Sequence, residues 1–170
     1  NSGTNDTPWE WKEAYCREIT LTNGTPANIF LLNDDTTLYV ALLKADGNNG
    51  DGTGVWLLFD QGSGGGGHDD RLTGSSAGTR NEAGYAVYKA GTMQAFDLSW
   101  NGSSWSEDDD GETDFDGVGV QSGGTPKIQN FEFAIPLTND KTSDGGNADL
   151  NITSMSQELG LMILSTYGGE

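Results

Sequence analysis

The side chains best suited to bind a hard cation lie in two glycine-rich loops, residues 46–53 and 60–70, that flank the apolar segment Val55–Phe59. Calcium binds about six to eight oxygen ligands. Glycine lets a backbone turn sharply enough to direct several such ligands at one point. The pattern predicts a bound divalent cation, with a cluster of solvated turns as the alternative. The candidate Ca2+ ligands are Asp46, Asn48, Asp51, Asp60, Asp69 and Asp70.

The first loop differs from an EF-hand loop, which has oxygen ligands at positions one, three and five and a glutamate at position twelve. Asp46 and Asn48 occupy positions one and three, but Gly50 occupies position five, and no glutamate stands at position twelve. We therefore expect an irregular site that is completed by acids of the second loop.

A second acidic run covers residues 108–116, with an acid at every second position. Such alternation places carboxylates on one side of an extended segment. A second metal site, or one shared with a neighbouring molecule, is one interpretation, and a solvated charge run is the other. The candidate ligands here are Asp108, Asp110, Asp114 and Asp116.

The charge balance is strongly acidic, with 8 Lys and Arg against 26 Asp and Glu and a formal net charge of −18. Nucleic acid and anionic membranes are therefore poor partners, because their phosphates would repel the chain. The expected partners are cations, neutral glycans, or copies of the chain itself neutralised by cations. Solubility alone, or a salty habitat, is the alternative explanation of the charge.

Catalytic chemistry has little support in the residue pattern. The chain has one histidine, His68, and one cysteine, Cys16, and lacks the spacing of a Ser-His-Asp triad. Its paired carboxylates lie in glycine-rich loops without the apolar surroundings that raise one carboxyl pKa in a glycosidase. Haem is disfavoured because His68 lies in a glycine tract beside two acids. We expect a protein that is not an enzyme.

Short strands separated by turn residues predict an all-β fold of about nine strands, in a single antiparallel, jelly-roll-like β-sandwich with long Gly/Asp-rich loops. Asn33-Asp34-Asp35 predicts a hairpin turn between two apolar runs. Apolar residues on both faces of 37–44 predict a central strand, and Pro136 predicts a strand end. The predicted strands are 14–21, 28–32, 37–44, 55–59, 84–89, 93–100, 118–121, 128–135 and 159–166.

Aromatic residues are the test of glycan binding, since sugars stack on exposed Trp and Tyr rings. Trp100 and Trp105 flank the turn Asn101-Gly102 and are predicted to pair across a hairpin. Trp100 shares a face with Phe96 and Leu98, which favours core packing for it. The candidate glycan contacts are Trp105, Trp100 and Tyr85.

Several segments, in this order, resemble the DOMON-like superfamily, which includes the family-9 carbohydrate-binding modules. The segments are WEWKEA from residue 9, LLNDDTTLYVALLKAD, VWLLFD, NFEFAIPL and the closing LGLMILSTYG. The resemblance spans about residues 9 to 167. It implies a β-sandwich jelly roll that binds glycans, haem or other ligands, often with structural calcium.

These features together predict an extracellular or cell-surface protein with a polar segment at 1–8 and one domain at 9–170. The polar start is typical of a processed mature terminus. Four Asn-x-Ser/Thr sequons, at Asn5, Asn23, Asn101 and Asn151, are glycosylation candidates. Cys16 is expected to be a small buried hydrophobe.

Self-assembly into a surface filament or layer is the preferred function, and a carbohydrate-binding module is the alternative. The amino-terminal segment offers apolar anchors that add a strand to a neighbouring copy. Calcium bridges between acidic faces complete the expected contact. The anchors are Trp9, Trp11, Tyr15 and Ile19.

Overall fold

The structure is a computed structural model that describes residues 11–20, 26–45, 54–60, 82–90, 92–100, 105–107, 115–121, 128–138, 150, 152 and 160–166; at several strand ends only the backbone is described. Within these residues the chain forms ten strands. They are β1 (Tyr15–Thr20), β2 (Pro26–Asn33), β3 (Thr37–Ala45), β4 (Gly54–Asp60), β5 (Glu82–Ala90), β6 (Thr92–Trp100), β7 (Trp105–Glu107), β8 (Asp116–Gln121), β9 (Ile128–Pro136) and β10 (Gly160–Thr166).

The strands form two antiparallel five-stranded sheets. The first sheet has the order β1-β2-β3-β9-β8, and the second sheet has the order β10-β4-β5-β6-β7. Hairpins join most consecutive strands, and the chain changes sheet after β3, after β7 and after β9. The predicted all-β sandwich is therefore confirmed.

The central position of β3 follows from its sequence. Val40 and Leu42 point into the core between the sheets, whereas Ala41 packs on the outer face of the first sheet. Both faces of β3 are covered, and β2 and β9 pair with its two edges. Apolar residues at every position of a strand are the pattern expected for this burial.

The main core lies between the sheets and takes side chains from both. Phe131, Phe133 and Ile135 alternate along β9 with half-buried residues that face outward. The second sheet contributes Val55 and Leu57, both fully buried. Each such side chain stabilises the fold by roughly 1.5–3 kcal/mol on burial.

The turn between β2 and β3 is held by one carboxylate. Asp34 Oδ1 accepts hydrogen bonds from the backbone N–H groups of Thr36 and Thr37, both at 2.8 Å, and from the Thr36 hydroxyl at 3.0 Å. The Tyr39 hydroxyl donates to Oδ2 at 3.1 Å. The hairpin predicted from Asn33-Asp34-Asp35 is confirmed, with β2 and β3 in antiparallel register.

Three expectations from the sequence were wrong or incomplete. Cys16 is exposed, because it lies on the outer face of an edge strand and not in a core. Phe96 and Leu98 lie on the outer face of the second sheet, in a separate apolar cluster with Ala86. The opposite side of β6 faces the core and carries Asp97, which is 9% exposed. A hairpin partner for Trp100 was predicted at Trp105, but the short strand β7 was not among the predicted strands.

Candidate functional site

Contacts of β8 show which ends of the two sheets lie together. Phe115 packs edge-to-face on Tyr85 at 4.9 Å between ring centroids. Two residues further along, a Cβ on Gly117 would meet Val87 of β5, and a Cβ on Gly119 would meet Met93 at the start of β6. β8 therefore runs in the same direction as β5, and its first residues lie beside the middle of β5 and, through the β4–β5 pairing, beside the middle of β4.

This arrangement places the two described candidate metal ligands toward the same end of the sandwich. Asp60 ends β4 and Asp116 begins β8, so both lie at the end where β3 begins. The loop after Ala45 leaves the opposite end of β3. Gly54 and Asp60, at the two ends of β4, are about 20 Å apart at a strand rise of ~3.3 Å per residue.

Chain connectivity shows at which end of the sandwich each acidic segment is attached. By chain connection, the loop with Asp69 and Asp70 leaves the sandwich at the Asp60 end, and the acidic run enters β8 at the same end. The 46–53 loop, with its acids, joins Gly54 at the other end of β4. The two loops join β4 at opposite ends, but the acids that distinguish one shared cation site from two separate sites lie outside the described residues, so the single irregular site stays a prediction.

Most of the candidate ligands lie outside the described residues. These are Asp46, Asn48, Asp51, Asp69, Asp70, Asp108, Asp110 and Asp114. Asp60 is described by its backbone, and Asp116 is an exposed side chain. Within the described part of the chain, no group of three or more His, Cys, Asp or Glu residues is arranged to hold a metal ion.

Tyr85 is not available to a glycan, which corrects its place among the candidate sugar contacts. It is 1% exposed, its ring packs against Phe59 and Phe115, and its hydroxyl accepts a 2.9 Å hydrogen bond from the Leu150 N–H. Both faces of a sugar-stacking ring cannot be buried in a core. Tyr85 is therefore a structural residue.

Trp100 and Trp105 are paired in the backbone register of β6 and β7, as predicted. Nearby, the outer face of the second sheet carries a row of half-buried rings from β4, β5 and β6. Tyr88 stacks on Phe96 at 4.4 Å, and Trp56 lies 6.4 Å from Tyr88. Tyr88 and Phe96 turn ring faces toward each other, so they act mainly as a second small core.

The predicted assembly anchors separate into buried and exposed residues. Trp11 is only 8% exposed and packs on Phe30 at 6.3 Å between ring centroids, so it anchors the amino-terminal segment to its own sheet and not to a neighbour. Ile19 packs against the main core. Tyr15 is 59% exposed on β1 and remains available. Trp9 lies outside the described residues, as do the four sequons with the exception of Ile152.

Sequence reasoning did not identify β8 as an exposed edge. Val118 and Val120 are 51% and 59% exposed, and with Tyr15 they are the exposed large hydrophobic residues of the described chain. All three lie on β1 and β8, the two edge strands of the first sheet. Alternating glycine and valine in residues 117–120 is the signal that marks a strand with one small-residue face and one apolar face.

Hydrogen bonds lower the pKa of the Asp34 carboxyl in the β2–β3 turn. The backbone N–H of Thr36 is the largest cause that holds the pKa of Asp34 below its ordinary value of 3.8, followed by the Thr36 hydroxyl, with further bonds from Thr37 and Tyr39. Asp34 is fully exposed, so this shift reflects local hydrogen bonds to the charged form. The carboxylate therefore stabilises the turn between β2 and β3.

Comparisons with protein-family models, with curated proteins and with solved structures found no match. In the residues that the structure describes, no helix is long and apolar enough to cross a membrane.

Proposed function

We propose that this chain is a non-enzymatic, calcium-stabilised extracellular protein that assembles with copies of itself through the edges of the first sheet. The observation that supports this proposal is that, among the described residues, the exposed large apolar side chains of Tyr15, Val118 and Val120 all lie on those two edges. A sheet edge offers unpaired backbone groups, and exposed apolar side chains beside it give a partner strand something to pack on.

Calcium has a defined part in this proposal. Copies that each carry a formal charge of −18 repel one another, so association needs neutralisation as well as contact. Acidic loops leave both ends of the sandwich, and cations bound there lower the repulsion without covering the edges. Structural calcium is also what the resemblance to DOMON-like domains implies.

Static light scattering tests the proposal on the intact chain. At high protein concentration, added calcium should raise the average mass above that of a monomer, and excess chelator should reverse the change. Electron microscopy of the same samples shows whether the particles are filaments, layers or small oligomers. A monomer under every condition would remove the proposed function.

Carbohydrate binding is the second candidate, and the register pairing of Trp100 with Trp105 favours it. Tryptophan is the residue type on which sugars stack best, and the register brings two of them to neighbouring strand positions. Retention of the intact protein on insoluble polysaccharides tests this function. Trp105→Ala should reduce retention, and a chain that passes through a broad polysaccharide panel without delay would exclude it.

A further inference from the structure

The two edges of the first sheet are protected to different degrees. Natural edge strands avoid unwanted pairing by carrying charged residues, prolines or bulges. On β1 the exposed residues Arg17 and Glu18 serve this purpose. β8 has one charged residue, Asp116, at its first position, and its centre is Val118-Gly119-Val120. The β8 edge is therefore less protected than the β1 edge against pairing with another strand.

Building on the proposed self-association, we propose that two copies of this chain pair through β8, antiparallel and around a two-fold axis perpendicular to the first sheet. The pairing joins two five-stranded sheets into one continuous ten-stranded sheet. With Gly119 on the axis, Val118 of each copy lies opposite Val120 of the other. The four valines then form one apolar patch on the outer face.

The interior face of β8 is compatible with this pairing. Gly117 and Gly119 point toward the second sheet, where an added Cβ on Gly117 would lie 2.6 Å from Val87. The inward side of β8 is thus filled by its own sandwich. The partner strand meets only the strand edge and the outward valines, so pairing requires no rearrangement of the core.

Charge separation favours the antiparallel arrangement. The axis through Gly119 places Asp116 of one copy opposite residue 122 of the other, so the two Asp116 carboxylates are about 20 Å apart along the strands at ~3.4 Å per residue. That distance exceeds the Debye length of about 8 Å at physiological salt. A parallel β8 pair would instead place the two acidic runs that precede Asp116 side by side.

Strand direction argues against pairing β8 of one copy with β1 of the next. Three antiparallel strands separate β1 from β8, so the two edge strands run in the same direction. Continuing the sheet by simple translation would make a parallel pair. Parallel pairing is slightly less stable per residue than antiparallel pairing. A β8–β1 pair would also lack the apolar patch that four valines form in a β8–β8 pair.

The native Cys16 allows a direct test, because it is the one cysteine of the chain and is exposed on β1. A nitroxide label there reports the distance between copies by pulsed electron resonance. β8 pairing separates the two β1 strands by nine strand spacings, about 43 Å at ~4.8 Å each. Head-to-tail pairing separates them by five spacings, about 24 Å, and β1 pairing brings them within roughly one or two spacings.

The measurement is made at high protein concentration with calcium, because a six-residue strand pair buries less than the roughly 1,200 Å² of a stable interface. A principal distance near the longest value supports the β8 pairing. A principal distance near either shorter value overturns the β8 pairing but not the proposed self-association. The same conclusion follows if the labelled chain stays monomeric while the unlabelled chain associates. A chain that stays monomeric with and without label contradicts both the proposed function and this pairing.

Discussion

The backbone N–H of Leu150 donates a 2.9 Å hydrogen bond to the hydroxyl oxygen of Tyr85, in the interior of the sandwich. Both residues are almost fully buried, and they are 65 positions apart in the chain. The bond fixes the segment between β9 and β10 against β5. The hydroxyl of Tyr85, whose ring was a predicted sugar contact, thus satisfies the buried backbone N–H of Leu150.

Replacing this tyrosine should destabilise the fold. Tyr85→Phe keeps the ring but leaves the Leu150 N–H without its acceptor, which should lower the free energy of unfolding by about 1–3 kcal/mol. Urea unfolding measures the change. Tyr88→Phe is the matched control, because it makes the same chemical change on the half-buried outer face of the same strand. Equal effects of the two changes would contradict the role given to the Tyr85 hydroxyl.

The Asp34 turn predicts a pH dependence with a defined sign. Hydrogen bonds in the folded state lower the pKa of Asp34 below 3.8. Its contribution to stability is therefore present above the unfolded pKa and is lost as pH falls through the lower, folded pKa. Asp34→Asn should lower the melting temperature clearly at pH 7 and by progressively less as the pH falls below 3.8.

Asp35→Asn is the control for this prediction, because it removes the same charge from the neighbouring residue. Melting curves of the native chain and both variants between pH 7 and pH 2 make the comparison. A difference between the native chain and Asp34→Asn that stays constant over this range would show that the carboxylate bonds do not stabilise the turn.

Several parts of the fold were predictable because a local pattern determines them. The apolar faces of β3, the acidic turn before it and the proline that ends β9 each carry their own physical reason. The division of the β6 residues between two faces of the strand was also predictable. The sequence did not predict which face of β6 meets the other sheet. Phe96 and Leu98 on the outer face are as apolar as a core face, and Asp97 lies on the interior face.

The candidate site was harder to predict because it depends on tertiary position. Asp60 and Asp51 are close in sequence, but Asp60 ends β4 whereas the loop that contains Asp51 joins β4 at its other end, Gly54. Cys16 and Val118 are small apolar residues whose exposure follows from their place on edge strands. Strand order is set by long-range pairing, which short sequence patterns do not encode.

Calcium should stabilise the native chain. Carboxylates of the acidic loops repel one another without a cation, so chelator should lower the melting temperature and added calcium should restore it. Differential scanning calorimetry with excess chelator, and then with excess calcium, makes the measurement. An unchanged midpoint would contradict the prediction.

We propose that the acids of residues 46–53 and those of residues 69–70 bind calcium at separate sites, because the two loops join β4 at its opposite ends. Asp46→Asn with Asp51→Asn should remove one part of the binding, and Asp69→Asn with Asp70→Asn another, with the losses additive. Isothermal titration calorimetry of both double variants and of their combination measures this. If either double variant abolished all binding, one shared site would replace the two separate ones.

Sedimentation at high concentration with calcium tests the central claim, assembly through the edge of the first sheet, most directly. Three proteins are compared: the native chain, the double variant Val118→Lys with Val120→Lys on β8, and the single variant Thr20→Lys on β1. Lysine reduces the net negative charge, so general electrostatics would increase association in both variants. On β8 the lysines should block strand pairing, whereas Thr20→Lys adds a charge to the already protected β1 edge. The account predicts oligomers for the native chain and Thr20→Lys, and monomer for the β8 variant. Oligomers of undiminished size in the β8 variant, or a native chain that remains monomeric, would contradict it.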